Sequence, residues 1–176
     1  SIKENLSLEK RVSITPETAK NIINLGLKVI IENNYASHIG ITDKEYETAG
    51  VEIKDSSGEV LNNCNLLTKV NCPSDDEILN LKDKTILIGM LNPSKNQSKI
   101  KNILKKNINV FSLELLPRIS RAQSMDVLSS QSNLAGYRSV VDSIYEFEKA
   151  IPMMMTAAGT VPAAKVLVIG AGVAGL

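Results

Sequence analysis

The chain has 176 residues, a length that accommodates one domain or two small ones. Hydrophobic residues make up 43% of it and charged residues 22%, which excludes the disordered class and predicts a globular fold with a buried core. A formal net charge of +1, with only four tyrosines and two phenylalanines, argues against nucleic-acid binding.

Helices and strands are predicted to alternate over the first 120 residues. Thr15-Pro16-Glu17 is typical of a helix start, capping boxes at Thr42–Glu45 and Ser74–Glu77 predict two more helices, and a lysine-rich helix is predicted to begin near Ser94. Five short apolar segments are predicted to be strands: Leu27–Ile31, Val51–Ile53, Asn65–Val70, Thr85–Gly89 and Asn109–Leu113. This alternation predicts a mainly parallel α/β sheet, which binds ligands at the carboxyl ends of its strands.

The rest of the chain has a different pattern. A long helix is predicted from Gln131 to Ala150, ended by Pro152. Met153–Pro162 is predicted to be a loop whose methionines serve packing. Lys165–Ile169 is predicted to be a buried strand.

A glycine motif of the form GxGxxG follows that strand directly. Gly170 would permit the tight turn, Gly172 would let a pyrophosphate approach the backbone, and Gly175 would let the next helix pack closely. The motif predicts a dinucleotide site, and the alternative is an ordinary glycine-rich turn between a strand and a helix. The acidic residue that usually follows about 20 residues later would lie beyond Leu176, so these residues alone leave NAD and NADP open.

A polar stretch lies between these two regions of the chain. Arg118, Gln123, Asp126 and Ser129 could surround a carboxamide and a ribose without a metal, because an Arg–Asp pair compensates its own charge and leaves donors and acceptors for the ligand. The alternative is a solvated interdomain linker.

The other candidate binding or catalytic residues form less specific patterns. Lys10, Arg11 and Lys69 are either exposed surface charges or members of an anion site in a cleft. His38 is the single histidine and lacks any catalytic or metal-binding spacing, and the two cysteines form no CxxC pair. We therefore expect no bound metal.

Several of these stretches resemble one family. Glu9–Thr18 is similar to the amino-terminal signature shared by alanine dehydrogenases and the transhydrogenase alpha subunit. Pro117–Tyr137 and Pro152–Pro162 resemble the transhydrogenase branch, and Gly170–Gly175 matches the family's nucleotide loop. The chain is thus identified as a member of the alanine dehydrogenase/transhydrogenase family, similar to an amino-terminal fragment of the NAD(H)-binding component of proton-translocating NAD(P) transhydrogenase.

The resemblance implies an α/β fold with three segments: a Rossmann-like domain over residues 1–120, a nicotinamide-site loop and linking helix over 121–151, and the start of a second, NAD-binding Rossmann domain over 152–176. It implies that NAD(H) is bound in the cleft between the two Rossmann-like domains, and that the component forms a homodimer. Four catalytic residues would hold the nicotinamide and its ribose, and three glycines would hold the pyrophosphate: Arg118, Gln123, Asp126 and Ser129, then Gly170, Gly172 and Gly175.

The same resemblance implies direct hydride transfer from NADH to NADP+ carried by a separate domain, coupled to proton movement by a transmembrane domain. The component would be peripheral, on the cytoplasmic side of the bacterial inner membrane or the matrix side of an organelle membrane. We expect the 176 residues alone to bind NADH weakly or not at all and to be inactive.

Two alternatives remain. An alanine-dehydrogenase-like enzyme is favoured by Arg11 and Lys69, which resemble positions that bind the substrate carboxylate and carbonyl in that branch. It is disfavoured by Met90-Leu91-Asn92, because alanine dehydrogenases carry a histidine after the corresponding strand. The other alternative is a non-catalytic NAD(H)-binding module.

Overall fold

The computed structural model describes every residue from Ser1 to Leu176 and divides into two compact units, residues 1–116 and 117–176. The first unit contains five helices: α1 (Pro16–Asn24), α2 (Asp43–Thr48), α3 (Ser57–Asn63), α4 (Asp75–Asn80) and α5 (Gln97–Lys105). Its five strands are β1 (Ile30–Glu32), β2 (Glu52–Lys54), β3 (Leu66–Asn71), β4 (Ile86–Met90) and β5 (Asn109–Ser112).

All strand pairs of the first unit are parallel, which confirms the predicted α/β class. Strands β1 and β2 form one sheet, in which Ile31 lies opposite Ile53. Strands β3, β4 and β5 form the other, with Leu87 of β4 opposite Leu67 on one side and Val110 on the other. Because β3 and β4 run in the same direction, their carboxyl ends lie at the same edge of the sheet.

The helix starts predicted at Thr15, Thr42 and Ser74 are confirmed by their caps, whereas the helix predicted to begin near Ser94 begins at Gln97 without a side-chain cap. The Thr15 hydroxyl accepts a hydrogen bond from the Thr18 N–H, and Ser74 and Glu77 form a reciprocal capping box. Helix α3 was not predicted, although its Ser56 hydroxyl accepts from the Glu59 N–H in the same way. Gly58 weakens the helical signal of this segment, because glycine is disfavoured in helix interiors.

Two hydrophobic clusters stabilise the first unit. One packs α3, α4 and α5 on the three-stranded sheet through fully buried side chains that include Leu67, Leu87 and Ile103. The other centres on Tyr35 and Tyr46, whose rings meet edge to face at 5.8 Å. The Tyr46 hydroxyl donates a 2.8 Å hydrogen bond to the Ile14 carbonyl, so its one polar group is satisfied inside the core.

The second unit is built on helix α6 (Val127–Phe147). The helix begins four residues before the predicted Gln131, because the Asp126 side chain caps it by accepting from the Ser129 N–H. It ends before the predicted Ala150, at Glu148 in the left-handed conformation with φ 52°. None of the six α-helices is long and apolar enough to cross a membrane.

Two predictions for the second unit are wrong. The predicted loop at 153–162 contains an antiparallel hairpin of β6 (Met154–Thr156) and β7 (Gly159–Val161). The predicted strand Lys165–Ile169 is not a strand, and its side chains are exposed, with Ile169 at 92%. A parallel strand exists only by pairing its backbone with neighbouring strands, and no strand of this chain pairs with these residues.

Truncation of Leu87 tests the central position of β4. We expect Leu87→Ala to lower the free energy of unfolding by about 2–5 kcal/mol, because the side chain is fully buried and leaves a cavity. The measurement is urea denaturation followed by circular dichroism. Leu79→Ala, at a 69% exposed position on α4, is the matched control and should change the free energy by less than about 0.5 kcal/mol. Equal losses for the two variants would contradict the assigned core.

Candidate functional site

The carboxylate of Asp126 and the backbone and hydroxyl of Ser129 form a closed pair at the start of α6. The Ser129 N–H donates to Oδ1 of Asp126 at 3.0 Å, and the Ser129 hydroxyl donates to Oδ2 at 2.6 Å. These bonds to Ser129, followed by the positive charge of Arg118, hold the pKa of Asp126 below its ordinary value. Asp126 is therefore an anion at neutral pH, and Ser129 has used its only hydroxyl proton, so its oxygen can only accept.

Arg118 and Gln123 lie just before this pair, on the segment that precedes α6. Residues Ser120–Met125 form a 3-10 helix, and the Gln123 carbonyl accepts a hydrogen bond from the Asp126 N–H. Both side chains are exposed, and neither donates or accepts a hydrogen bond within the chain. The segment thus offers two uncommitted polar side chains next to a committed carboxylate.

The glycine loop at 170–175 turns sharply. Gly170 has φ +107°, a conformation that other residues rarely adopt. The Gly172 carbonyl accepts hydrogen bonds from the N–H groups of Gly175 and Leu176 at 2.9 and 3.0 Å, the pattern of a first helical turn. The N–H groups of Val173 and Ala174 have no backbone acceptor, which makes this turn suited to an anion.

Close packing explains the third glycine of the motif. A Cβ built on Gly175 would lie 3.1 Å from the Gly170 carbonyl carbon and closer still to its oxygen. Only a residue without a side chain therefore permits the loop to fold back on itself in this way.

The first unit has its own polar cavity, of about 480 Å³, at the carboxyl ends of β3 and β4. Lys69 lies in it with its side chain only 5% exposed. Its ammonium group donates to both carboxylate oxygens of Glu77, at 3.0 and 2.9 Å, and lies 3.9 Å from a carboxylate oxygen of Glu4. The interpretation of Lys69 as an exposed surface charge is wrong, because two carboxylates compensate its charge inside the cavity.

Backbone geometry fixes the place of Lys69. The pairing of β3 with β4 shifts register after Thr68, and a Cβ built on Gly89 of β4 would lie 3.3 Å from the Lys69 carbonyl carbon. Glycine at this position lets the irregular part of β3 approach its neighbour. Burial raises the pKa of Glu4, which Lys69 and the N–H groups of Val70 and Asn71 oppose.

Arg11 lies near the rim of the same region and is bound to Glu9. Its Nε donates to Glu9 Oε1 at 2.8 Å and its Nη2 to Glu9 Oε2 at 2.7 Å, a two-pronged pair. Hydrogen bonds from Arg11 lower the pKa of Glu9 to about 2, despite partial burial. Arg11 and Lys69, both candidates for anion binding, thus have carboxylate partners within the chain.

No histidine follows β4. Its end leads into buried Leu91 and then Asn92, whose N–H donates to the Glu114 carboxylate at 2.6 Å. His38 lies in a 3-10 turn, where its Nε2 is 2.8 Å from the Lys10 carbonyl oxygen. No cluster of three or more metal-ligating side chains is present.

Sequence reasoning missed Gly136, which brings helix α6 and the glycine loop of the second unit together. A Cβ built on Gly136 of α6 would lie 3.0 Å from the carbonyl carbon of Ala174 and 3.2 Å from its Cα. Gly136 is seven residues after Ser129, and such residues share one face of a helix, about 10 Å apart along its axis. The available signal was a glycine inside a predicted helix.

The carboxylates around Lys69 and Arg11 were also missed. Glu4 lies far from Lys69 in sequence, and Glu77 belongs to a capping box that already explained it. Glu9 lies only two residues from Arg11, but it was interpreted as part of the amino-terminal signature. Only the fold places them at the cavity.

Family models match nearly the whole chain. Residues 2–135 match the model described as "Alanine dehydrogenase/PNT, N-terminal domain", and residues 139–176 match "Alanine dehydrogenase/PNT, C-terminal domain". The chain is 46% identical to an NAD(P) transhydrogenase subunit alpha protein of Rhodospirillum rubrum, over 99% of this chain and 47% of that protein. The corresponding subunit alpha protein of Rickettsia prowazekii is 42% identical, over 100% of this chain and 47% of its own length.

Solved structures have the same fold. The crystal structure of transhydrogenase from Sinorhizobium meliloti matches with a TM-score of 0.92 and 43% identity, covering 99% of this chain and 53% of that one. An L-alanine dehydrogenase structure matches with a TM-score of 0.81 at 22% identity, covering 99% of this chain and 48% of that one, a likeness of fold. The chain spans about half the length of the curated relatives it matches.

The Glu9–Arg11 pair makes stability depend on acidity. The pKa of Glu9 is lowered by folding, so its carboxylate stabilises the native chain above about pH 4.5, and this contribution is lost as the pH falls towards about 2. We expect Glu9→Gln to be less stable than the wild type at neutral pH and the difference to disappear towards pH 2. Urea denaturation at a series of pH values measures it. Glu17→Gln, at an exposed position on α1 outside this pair, is the control for the loss of one carboxylate and should cost less stability at neutral pH than Glu9→Gln.

Proposed function

The chain belongs to the alanine dehydrogenase/PNT family, and we propose that it is part of the NAD(H)-binding component of a proton-translocating NAD(P) transhydrogenase. Its 42–46% identity to transhydrogenase alpha subunits, against 31% to an alanine dehydrogenase of Methanococcus maripaludis, supports this branch. In the proposal, hydride passes directly between NADH and NADP+, which a separate domain carries. A transmembrane partner domain couples that transfer to proton translocation.

The observation that carries the proposal is the Asp126–Ser129 pair beside two uncommitted side chains. Because the Ser129 hydroxyl donates to Asp126, its oxygen is available as an acceptor for the amide N–H of a nicotinamide carboxamide or for a ribose hydroxyl. Arg118 and Gln123 can donate to the carboxamide oxygen. These four residues would hold the nicotinamide end, and the bound NAD(H) supplies the hydride chemistry.

The glycine loop fits the other end of the same ligand. Gly170, Gly172 and Gly175 leave no side chain between the backbone and a pyrophosphate, and the N–H groups of Val173 and Ala174 lack backbone acceptors. The close approach of Ala174 to α6 puts this loop along the helix from Ser129. An extended nicotinamide nucleotide can span the roughly 10 Å between them.

Hydride exchange between two nicotinamides requires no acid or base, because no substrate proton is removed. The protein then contributes proximity and alignment of the two rings. The lack of a histidine after β4 is therefore compatible with the proposal.

The alanine-dehydrogenase alternative is less well supported. A substrate carboxylate at Lys69 or Arg11 would have to compete with Glu77, Glu4 or Glu9, which already compensate these cations. A non-catalytic NAD(H)-binding module is compatible with the same cofactor site and is distinguished by assay.

Partners follow from the same proposal. We propose a homodimer, since many apolar side chains of α6 are exposed, among them Leu134, Tyr137 and Tyr145. The component would lie on the cytoplasmic face of a bacterial inner membrane, or on the matrix face in an organelle, next to its transmembrane partner.

Direct hydride exchange between the two nucleotides tests the proposal. The full-length parent protein is mixed with a purified NADP(H)-binding domain of a transhydrogenase, and reduction of an NAD+ analogue by NADPH is followed. We expect Arg118→Ala and Asp126→Asn each to lower the rate by about 10- to 100-fold, the effect of losing one hydrogen bond to a charged group. Arg121→Ala removes an exposed arginine of the 3-10 helix that lies between Arg118 and Asp126 and should keep the wild-type rate.

The remaining outcomes separate the alternatives. Absence of exchange, with NAD+ reduction on adding alanine, would assign the chain to the dehydrogenase branch. Absence of both activities, with NADH still bound, would indicate a non-catalytic module. An equal loss in Arg121→Ala would contradict the specific role given to Arg118.

A further inference from the structure

Gly136 lies at a position of helix α6 where glycine lowers helix stability. It lies in the interior of a 21-residue helix, where glycine is disfavoured relative to alanine because it loses more backbone freedom on folding. The helix contains no other glycine. The structure shows close packing at this position.

The backbone of Ala174 occupies the space that a side chain at 136 would fill. A Cβ there would lie 3.0 Å from the Ala174 carbonyl carbon, 3.2 Å from its Cα and closer again to its carbonyl oxygen. The obstruction is backbone, so it cannot be relieved by a change of side-chain rotamer. Any side chain at 136 must therefore push the loop and the helix apart.

The contact also orients the loop. The Ala174 carbonyl points towards α6, and in a trans peptide the next N–H points the opposite way. That N–H belongs to Gly175 and donates to the Gly172 carbonyl, closing the turn. Gly136 thus faces the carbonyl side of the turn and does not face the N–H groups that would meet a phosphate.

We infer that Gly136 is a positioning residue, which sets the spacing between the glycine loop and the Ser129 end of the NAD(H) site by its contact with the Ala174 backbone. The inference rests on the proposed function. Ser129 and Gly136 are on one face of α6. A loop displaced from Gly136 therefore changes its distance from Asp126 and Ser129, while the two hydrogen bonds from Ser129 to Asp126 stay as they are. A ligand that must reach both ends would be affected, and one that reaches only the loop would not.

Two ligands of different reach test this inference. Dissociation constants for NADH and for ADP are measured by calorimetry on the full-length parent protein and on Gly136→Ala. We expect Gly136→Ala to weaken NADH binding by about tenfold, equivalent to one misplaced hydrogen bond, while ADP binding stays within about twofold. Ala135→Ser adds one non-hydrogen atom at the neighbouring exposed position and should leave both constants unchanged.

A double variant tests whether Gly136 and Ser129 act on the same bound ligand. If Gly136 acts through spacing, Gly136→Ala should cost less NADH affinity when Ser129→Ala has already removed the hydroxyl contact, so the two effects are not additive. Additive effects would overturn the inference.

The other results also have defined meanings. Equal weakening of NADH and ADP, or failure of Gly136→Ala to fold, would show that Gly136 supports the loop's structure rather than the spacing, and would overturn the inference. Unchanged binding of both ligands would do the same. Failure of the wild-type parent to bind NADH would instead overturn the proposed function, and it is recognised before any variant is made.

Discussion

The Asp126–Ser129 pair is the interaction on which the second unit depends. One carboxylate begins helix α6 by accepting the Ser129 N–H, and it also holds the Ser129 hydroxyl in one orientation. Helix geometry then fixes what lies two turns later, because residues seven apart share a face. Gly136 is at that position, and the Ala174 backbone rests on it. A local capping interaction thus relates the polar segment to the glycine loop.

The two units treat charge differently. In the first, Lys69 and Arg11 are compensated by Glu77, Glu4 and Glu9, as buried or partly buried cations must be. In the second, Arg118 is exposed and lowers the pKa of Asp126 at a distance without a hydrogen bond to it. A compensated cation already has its partners within the fold, whereas a cation with free donors is available to a ligand. This difference favours the second unit as the place of cofactor recognition.

The sequence predicted local structure better than long-range contacts. The caps at Thr15 and Ser74 and the five strands of the first unit followed from short patterns, because those signals are local. The strand at Lys165–Ile169 failed, since a strand requires partners that lie outside the pattern that predicts it. The carboxylates at Lys69 were not predicted either, because only the fold brings them to this lysine. Of the candidate residues, the structure joins Asp126 to Ser129 and leaves Arg118 and Gln123 without hydrogen-bond partners for their side chains.

Charge balance explains why an arginine and an aspartate suit a reversible hydride site. The nicotinamide ring gains a positive charge when NADH becomes NAD+, so a site dominated by either sign would favour one redox state. In the proposed site the Asp126 anion and the Arg118 cation oppose one another, and Ser129 is a neutral acceptor. Tight binding of one state would deepen a ground state without assisting transfer. A nearly neutral site would hold both states with similar affinity, so that neither direction of transfer would start from a strongly stabilised ground state.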